Sequence, residues 1–164
     1  GDAPDLWMYD WSLAAGLALS PLEKLSLDLE GSYTSFDGKM PASLEGTSTF
    51  ETILRGDYGL TAKLSAIFDI RIIRYVIPDT EEDIEETFIA PFAGFEYRPM
   101  HKVRLTLAYG IDPLDFTIDY EGRRTGRWNF MNTYLWDNPG GTLLDAEQAL
   151  EDRKAIVLRA LFNF

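Results

Sequence analysis

The segment that ends the chain, residues 153–164, alternates without a break between two sets of side chains. Successive residues of a β-strand point to opposite sides, so each set lies on one face of a strand. The segment therefore predicts a strand with one apolar face and one mixed, partly charged face. The first face carries Lys154, Ile156, Leu158, Ala160, Phe162 and Phe164, and the second carries Arg153, Ala155, Val157, Arg159, Leu161 and Asn163.

The same alternation occurs six more times and predicts seven strands in total. The other strands are predicted over residues 9–19, 25–34, 50–58, 63–72, 86–98 and 103–112, with an irregularity at Pro91, which lacks a backbone N–H. Short turns at 20–24, 59–61 and 98–102 alternate with polar loops at 37–47, 76–86 and 113–152. Within the longest loop, residues 142–153 predict a short helix.

The final strand, with a C-terminal Phe164 and apolar residues at every second position before it, resembles the C-terminal assembly signal of bacterial outer-membrane β-barrels. The resemblance implies an all-β, antiparallel up-and-down transmembrane β-barrel in the outer membrane of a Gram-negative bacterium. It implies periplasmic short turns and extracellular long loops, including 113–152 with its helix. It also implies that Phe164 engages the barrel assembly machinery, and that outer-membrane lipid and lipopolysaccharide surround the protein.

The composition excludes several other classes of protein. A chain of 164 residues fits one domain, and its net charge of −12 argues against binding nucleic acid. Without cysteine there is no disulfide framework or thiolate metal site. No apolar run is long enough for a transmembrane helix. Because no signal peptide begins at Gly1, an outer-membrane protein would have a mature or excised start there, after signal-peptide cleavage.

The odd number of predicted strands has a topological consequence. If the last strand runs toward the periplasm, the first runs the same way, whereas single-chain bacterial barrels usually have an even number of strands. We therefore interpret residues 1–164 as the C-terminal segment of a larger barrel, rather than as a complete single domain. The alternatives are an unrecognised strand in 113–152, most plausibly at 127–136, or completion by strands of another chain.

Aromatic residues favour a membrane over a soluble fold. They concentrate at the two ends of the predicted strands, with aliphatic residues between them, as expected for the two girdles of a membrane barrel. A soluble β-barrel or sandwich that binds a small ligand remains the alternative, with the apolar faces turned inward. The predicted girdle residues are Tyr9, Trp11, Tyr33, Tyr58, Tyr97, Tyr109, Phe162 and Phe164.

The opposite strand faces carry small residues and both signs of charge. In a barrel these side chains would face the lumen, where charges must pair or stay hydrated. They would form a polar plug in a narrow barrel and line an aqueous path in a wide one. The predicted lumen-facing residues are Asp10, Asp28, Glu30, Arg55, Asp57, Asp69, Arg71, Glu96, Arg98, Arg104 and Arg159.

Catalysis is poorly supported, and we predict no enzymatic activity, cofactor or metal site. The single histidine, His101, lies in a predicted periplasmic turn, so no Ser–His pair can form at the outer rim. The acidic run 79–86 lacks the glycine and the ligand spacing of a calcium loop. In the long loop, aromatic and arginine side chains suit either a cap over the barrel mouth or a site for a ligand or partner, namely Arg123, Arg124, Arg127, Trp128 and Trp136.

These observations predict a non-enzymatic outer-membrane barrel that acts as a passive or selective, porin-like channel. The main alternative is a structural or assembly barrel that anchors a soluble domain or a partner chain and does not conduct. Conductance separates the two, because a wide hydrated lumen passes ions and a plugged one does not.

Overall fold

The computed structural model of the chain describes residues 7–39, 46–78, 81–113, 138 and 141–163, with side chains for all of these except 7–10, 36–39, 84 and 143. For Tyr9 and Asp10 the structure therefore describes the backbone only. Outside the described residues lie the proposed extra strand at 127–136, the C-terminal Phe164, and the loop residues Arg123, Arg124, Arg127, Trp128 and Trp136.

The chain forms one antiparallel sheet in which each strand pairs with the next in sequence. This confirms the predicted all-β, up-and-down architecture. Short turns join strands that are antiparallel neighbours in the sheet. Each of the seven strands was predicted at its observed place, with ends that differ by a few residues. The strands are β1 (Trp7–Leu22), β2 (Leu25–Lys39), β3 (Ser48–Gly59), β4 (Leu64–Ile77), β5 (Ile84–Met100), β6 (Val103–Gly110) and β7 (Ala155–Phe162).

The described sheet is open, with β1 and β7 as its two edges. A barrel, or the C-terminal strands of a larger one, was expected; β1 and β7 do not pair with each other in the part of the chain that the structure describes, so these seven strands do not close into a barrel. Because neighbouring strands are antiparallel and there are seven of them, both edge strands run in the same direction. Antiparallel closure of β1 directly onto β7 is therefore impossible.

The strand register divides the side chains between two faces, which differ in exposure in the middle strands β3 to β6. On one face, here called the exposed face, large apolar side chains are open to the surroundings, with Leu13 69% exposed and Leu158 80% exposed. On the other, here called the shielded face, Ile73 is 1% exposed and the charged Asp69 only 7%. In a single sheet of a water-soluble protein the apolar face is normally the covered one. This sheet is reversed in that its apolar face is the open one, whereas the covered face holds charged as well as apolar side chains.

The irregularity predicted at Pro91 lies where β5 loses one of its two neighbours. Pro91 pairs with Ile70 of β4, so β5 itself continues through the proline. On its other side, the pairing of β5 with β6 ends at Phe92 opposite Gly110, and Ile111 N–H donates to the Pro91 carbonyl at 2.9 Å. Proline has no backbone N–H to donate, so it suits the position in β5 at which the hydrogen bonding to β6 ends.

Gly94 packs closely against the neighbouring strand β6. A Cβ atom at this position would lie 2.2 Å from the carbonyl oxygen of Leu107 and 2.4 Å from the Cα of Ala108. Because these are backbone atoms, we expect Gly94→Ala to lower the free energy of unfolding by about 1–3 kcal/mol. Urea unfolding in detergent micelles measures this change.

Gly31 of β2 is the matched control, since a Cβ there meets nothing within 4 Å. We expect Gly31→Ala to leave stability unchanged or to raise it by about 0.5–1 kcal/mol. Equal losses in the two variants would contradict the close approach of β5 and β6 at Gly94.

Helix α1 (Leu143–Glu151) precedes β7 and lies within residues 142–153, where a short helix was predicted. Thr142 is its N-cap, and Asp152 its C-cap. The helix packs against β5, and three residues, Asp152, Arg153 and Lys154, join it to β7. The remainder of the long loop, 114–137, lies outside the described residues.

Candidate functional site

The predicted lumen-facing residues with described side chains all lie on the shielded face. The register places Asp28 opposite Arg55, and Arg55 opposite Asp69. It likewise places Thr106 between Glu96 and Arg159. Alternation along each strand adds the remaining members, which are Glu30, Asp57, Arg71, Arg98 and Arg104.

The first ion-pair cluster of this face centres on Asp69 of β4. Arg55 Nε of β3 donates to Asp69 Oδ2 at 2.8 Å. Arg71, two residues further along β4, places its Nε 3.5 Å from Asp69 Oδ1. The side chains of Asp69 and Arg71 are each 10% exposed. One shielded carboxylate therefore lies beside two guanidinium groups, which lowers the cost of removing these charges from water but leaves the cluster with one excess positive charge.

The second cluster repeats this arrangement around Glu96 of β5. Arg98, two residues along the same strand, donates through Nε to Glu96 Oε1 at 2.6 Å. Arg104 of the neighbouring β6 places its Nε 3.5 Å from the same oxygen. In both clusters a carboxylate forms ion pairs with one arginine of its own strand and one of the adjacent strand, and one of the two is also a hydrogen bond. The ion pair within a strand could be predicted from the acid–X–Arg spacing of the sequence. The ion pair between strands depends on the register of the two strands.

A third ion pair joins Arg159 of β7 to Asp112, just after β6. Sequence reasoning placed Arg159 on this face and left Asp112 out of the predicted set. The alternation of β6 did put Asp112 on the same face as Arg104 and Thr106, which was the available signal. This pair holds the end of β6 to the edge strand β7.

Three carboxylates of the shielded face have no ion-pair partner among the described residues, those of Asp28, Asp57 and Glu86. In contrast, each arginine of the predicted set lies in one of the ion pairs just described. These five arginines share three carboxylates, so the ion pairs by themselves leave an excess of positive charge. Over the described part of the shielded face, however, carboxylates outnumber the arginines, and the net charge is negative; they are Asp28, Glu30, Glu51, Asp57, Asp69, Glu86, Glu96 and Asp112.

An apolar area on the shielded face, here called the dry patch, was missed by sequence reasoning. It belongs to β4 and β5, where Tyr75 and Phe88 contact edge-on with ring centroids 5.6 Å apart. Residues 70–77 and 88–93 carry mostly apolar side chains at successive positions rather than at alternate ones. Strands that are covered on both faces have this pattern, so the sequence could have indicated the patch. The dry patch consists of Ile73, Tyr75, Phe88, Ala90 and Phe92, all at most 5% exposed.

Aromatic rings on the exposed face gather near both ends of the strands. Trp11, Tyr33 and Phe50 form a row across β1, β2 and β3, with centroid separations of 5.0 and 4.9 Å. The Tyr33 hydroxyl also hydrogen-bonds Ser48 Oγ at 3.0 Å. Tyr109 lies near the same end of β6, whereas the opposite strand ends carry Tyr58, Tyr97 and Phe162.

Between these rings the exposed face is uncharged. Leu17, Leu29, Leu54 and Ile70 are in register across four strands and form an aliphatic row. Among the described side chains of the strands, the charged members of this face are Arg74 and Glu85, which form an ion pair near the ends of β4 and β5. A continuous apolar belt with charge only at its margin suits an apolar surrounding medium.

Helix α1 is held at its start by a capping box. Thr142 N–H donates to Asp145 Oδ2 at 2.8 Å, and Asp145 N–H donates to Thr142 Oγ1 at 3.2 Å. The backbone hydrogen bond from Thr142, followed by that from its side chain, holds the pKa of Asp145 below its usual value. Because the folded-state pKa is lowered, this stabilisation is present at neutral pH and is lost as the pH falls through that pKa.

A metal site in a protein is usually built from several histidine, cysteine or carboxylate side chains close together. No group of three or more of these side chains comes together among the described residues. His101 is exposed in the turn between β5 and β6. No helix in the described ranges is both long enough and apolar enough to cross a membrane.

Comparison of the chain with protein-family models, with curated proteins and with solved structures found no match.

Proposed function

We propose that this chain forms part of the wall of a bacterial outer-membrane β-barrel that acts as a passive or selective, porin-like channel. The observation that carries the proposal is the reversed polarity of the sheet. Exposed apolar side chains such as Leu13 and Leu158 would contact lipid, whereas the ion-paired shielded face would contact water in the lumen. In the soluble alternative, a sheet with this exposed face would leave an apolar surface far larger than single-domain proteins tolerate in water.

In the proposed orientation, the short turns after β1, β3 and β5 lie in the periplasm and the long connections lie outside the cell. The aromatic rows then lie at the two membrane interfaces, and the uncharged aliphatic belt spans the hydrocarbon. Phe164 would engage the assembly machinery, as the resemblance of the last strand implies. Lipid and lipopolysaccharide would cover the exposed face.

Completion of such a barrel requires more strands than the seven of this sheet. Since β1 and β7 run in the same direction, fully antiparallel closure needs an odd number of additional strands. These would come from an unrecognised strand within residues 113–152, from another segment of the same precursor or from another chain. The smallest outer-membrane barrels have about eight strands, so one further strand is the minimum.

Conductance tests the proposal directly. Protein extracted from the outer membrane in mild detergent, together with any partner it retains, is added to planar bilayers. We expect stepwise openings that heat-unfolded protein does not produce. If the protein is not recovered in the outer membrane at all, the proposed location is wrong.

A non-conducting structural barrel is the second candidate, and two observations favour it. The ion pairs around Asp69 and Glu96 link neighbouring strands across the shielded face, and helix α1 packs against β5. Both would narrow a lumen. Stable insertion into bilayers without conductance would support this candidate over the channel.

The charge balance of the shielded face predicts a preference for cations. Asp28 and Asp57 lack ion-pair partners among the described residues, so a conducted ion would meet uncompensated carboxylates. We expect the double variant Asp28→Asn, Asp57→Asn to shift the reversal potential in a KCl gradient toward zero. Glu23→Gln, in the exposed turn between β1 and β2, should leave it unchanged. A wild-type preference for anions would contradict the prediction.

A further inference from the structure

The dry patch is at odds with a hydrated lumen. Its members Ile73, Tyr75 and Phe88 are at most 2% exposed, although they share the shielded face with Asp69 and Arg71. A wall in contact with water would carry polar side chains at these positions. Burial of aromatic and aliphatic side chains is favourable because it removes apolar surface from water, so the patch needs a dry cover.

Helix α1 has the composition of such a cover. Ala146 and Leu150 are four residues apart, lie on one side of the helix and are 0% and 1% exposed. On another side, Leu144 is 72% exposed, and Asp145 and Glu151 are also exposed. The helix thus turns its buried apolar side to the sheet.

The position of the helix identifies which face of the sheet it covers. Helix α1 packs against β5. On the exposed face of β5, Ile89 is 53% exposed, whereas Phe88 and Phe92 on the shielded face are 2% and 5% exposed. The helix therefore lies over the shielded face, on the dry patch.

The connections of the helix keep it near the sheet. Its capping box orders the first turn, and only Asp152, Arg153 and Lys154 separate its end from β7. Three residues span at most about 11 Å, so the C-terminal end of the helix stays close to the start of β7. The N-terminal end has no such short connection to a described strand, since Gly110, the last residue of β6, is far away in sequence.

We infer that helix α1 limits the permeability of the proposed barrel, by sealing the dry patch and occupying the part of the lumen beside β4 and β5. The inference rests on the proposed function. The charged clusters around Asp69 and Glu96 lie on the same face as the patch, and the remaining path for ions runs along them. In this inference the buried side chain of Leu150 holds the helix against the sheet.

The test compares two substitutions of leucine in the same helix. Leu150→Asp places a carboxylate in the buried contact, whereas Leu144→Asp places it on the exposed side. We expect Leu150→Asp to raise single-channel conductance about twofold or more, because a helix about 10 Å wide leaves the lumen. Leu144→Asp should leave the conductance unchanged. Leu150→Ala, a milder change, replaces Leu150→Asp if the latter fails to assemble.

A second measurement follows the helix without using conductance. Because the chain has no cysteine, Ala90→Cys introduces a single thiol in the dry patch, at a position that is 4% exposed. We expect Leu150→Asp to make this thiol react with a water-soluble maleimide, and Leu144→Asp to leave it protected. The protein is labelled in membranes, so that unfolding in detergent does not expose the thiol.

The outcomes separate the inference from the proposed function. A rise in both conductance and labelling for Leu150→Asp alone supports the inference. Labelling without increased conductance, no change in either, or equal effects of the two leucine variants overturns it and leaves the barrel intact. Failure of the wild-type chain and of every variant to enter the membrane overturns the proposed function itself.

Discussion

Leu17→Arg is expected to lower the stability of the protein in membranes by about 2–4 kcal/mol, the cost of an arginine on the lipid face of a barrel near the midplane. Leu17 is 54% exposed and lies in the aliphatic row with Leu29 and Leu54, between the aromatic ends of the strands. In lipid its neighbours offer no partner for a guanidinium group. Refolding into vesicles along a urea series measures the change.

Ala18→Arg is the control for this experiment. Ala18 is the next residue of β1, is also exposed, and lies opposite Asp28 on the other face of the sheet. An arginine there would face water and a carboxylate, so we expect a change of about 0.5 kcal/mol or less. In a soluble protein, arginine at Leu17 would instead be harmless or would increase solubility. That result would exclude the membrane interpretation.

The second large effect is expected at the centre of the first ion-pair cluster. Asp69→Asn removes the charge that Arg55 and Arg71 share while keeping the shape of the side chain. Breaking a fully buried ion pair costs about 3–5 kcal/mol. We expect about 2–3 kcal/mol, because the Arg55 side chain is 42% exposed and water screens its charge. Urea unfolding followed by tryptophan fluorescence in micelles measures the loss.

Asp57→Asn provides the comparison on the same face. Asp57 has no ion-pair partner among the described residues, so its loss should change stability by no more than about 0.5 kcal/mol. Asp57 and Asp69 have the same side chain and differ in whether an arginine pairs with it. Equal losses would mean that the cluster around Asp69 adds no stability beyond that of any carboxylate on this face.

Both predictions depend on the same property of the sheet, which is that its apolar and charged sides are opposite to those of a soluble fold. Leu17 tests the exposed face and Asp69 tests the shielded face. If both behave as expected, lipid contacts the first face and a partly hydrated interior contacts the second. A channel and a structural barrel then remain, and conductance distinguishes them.

Local patterns in the sequence were sufficient for the strands and their faces. Alternation of side chains is a property of each strand by itself, so residues such as Leu107 and Thr106 could be assigned to opposite faces before any pairing was known. Turns of a few residues between alternating segments could join only antiparallel neighbours. The up-and-down order of the seven strands follows from these two facts.

Tertiary structure alone decided which residues meet across strands and what covers the shielded face. Asp69 could be assigned to a face, but its bond to Arg55 depends on the register between β3 and β4, which a shift of one residue would destroy. The burial of Leu150 depends on the packing of helix α1, which contacts β5, a strand distant in sequence. A strand's periodicity is local, whereas register and packing are set by many weak contacts between segments far apart in the chain.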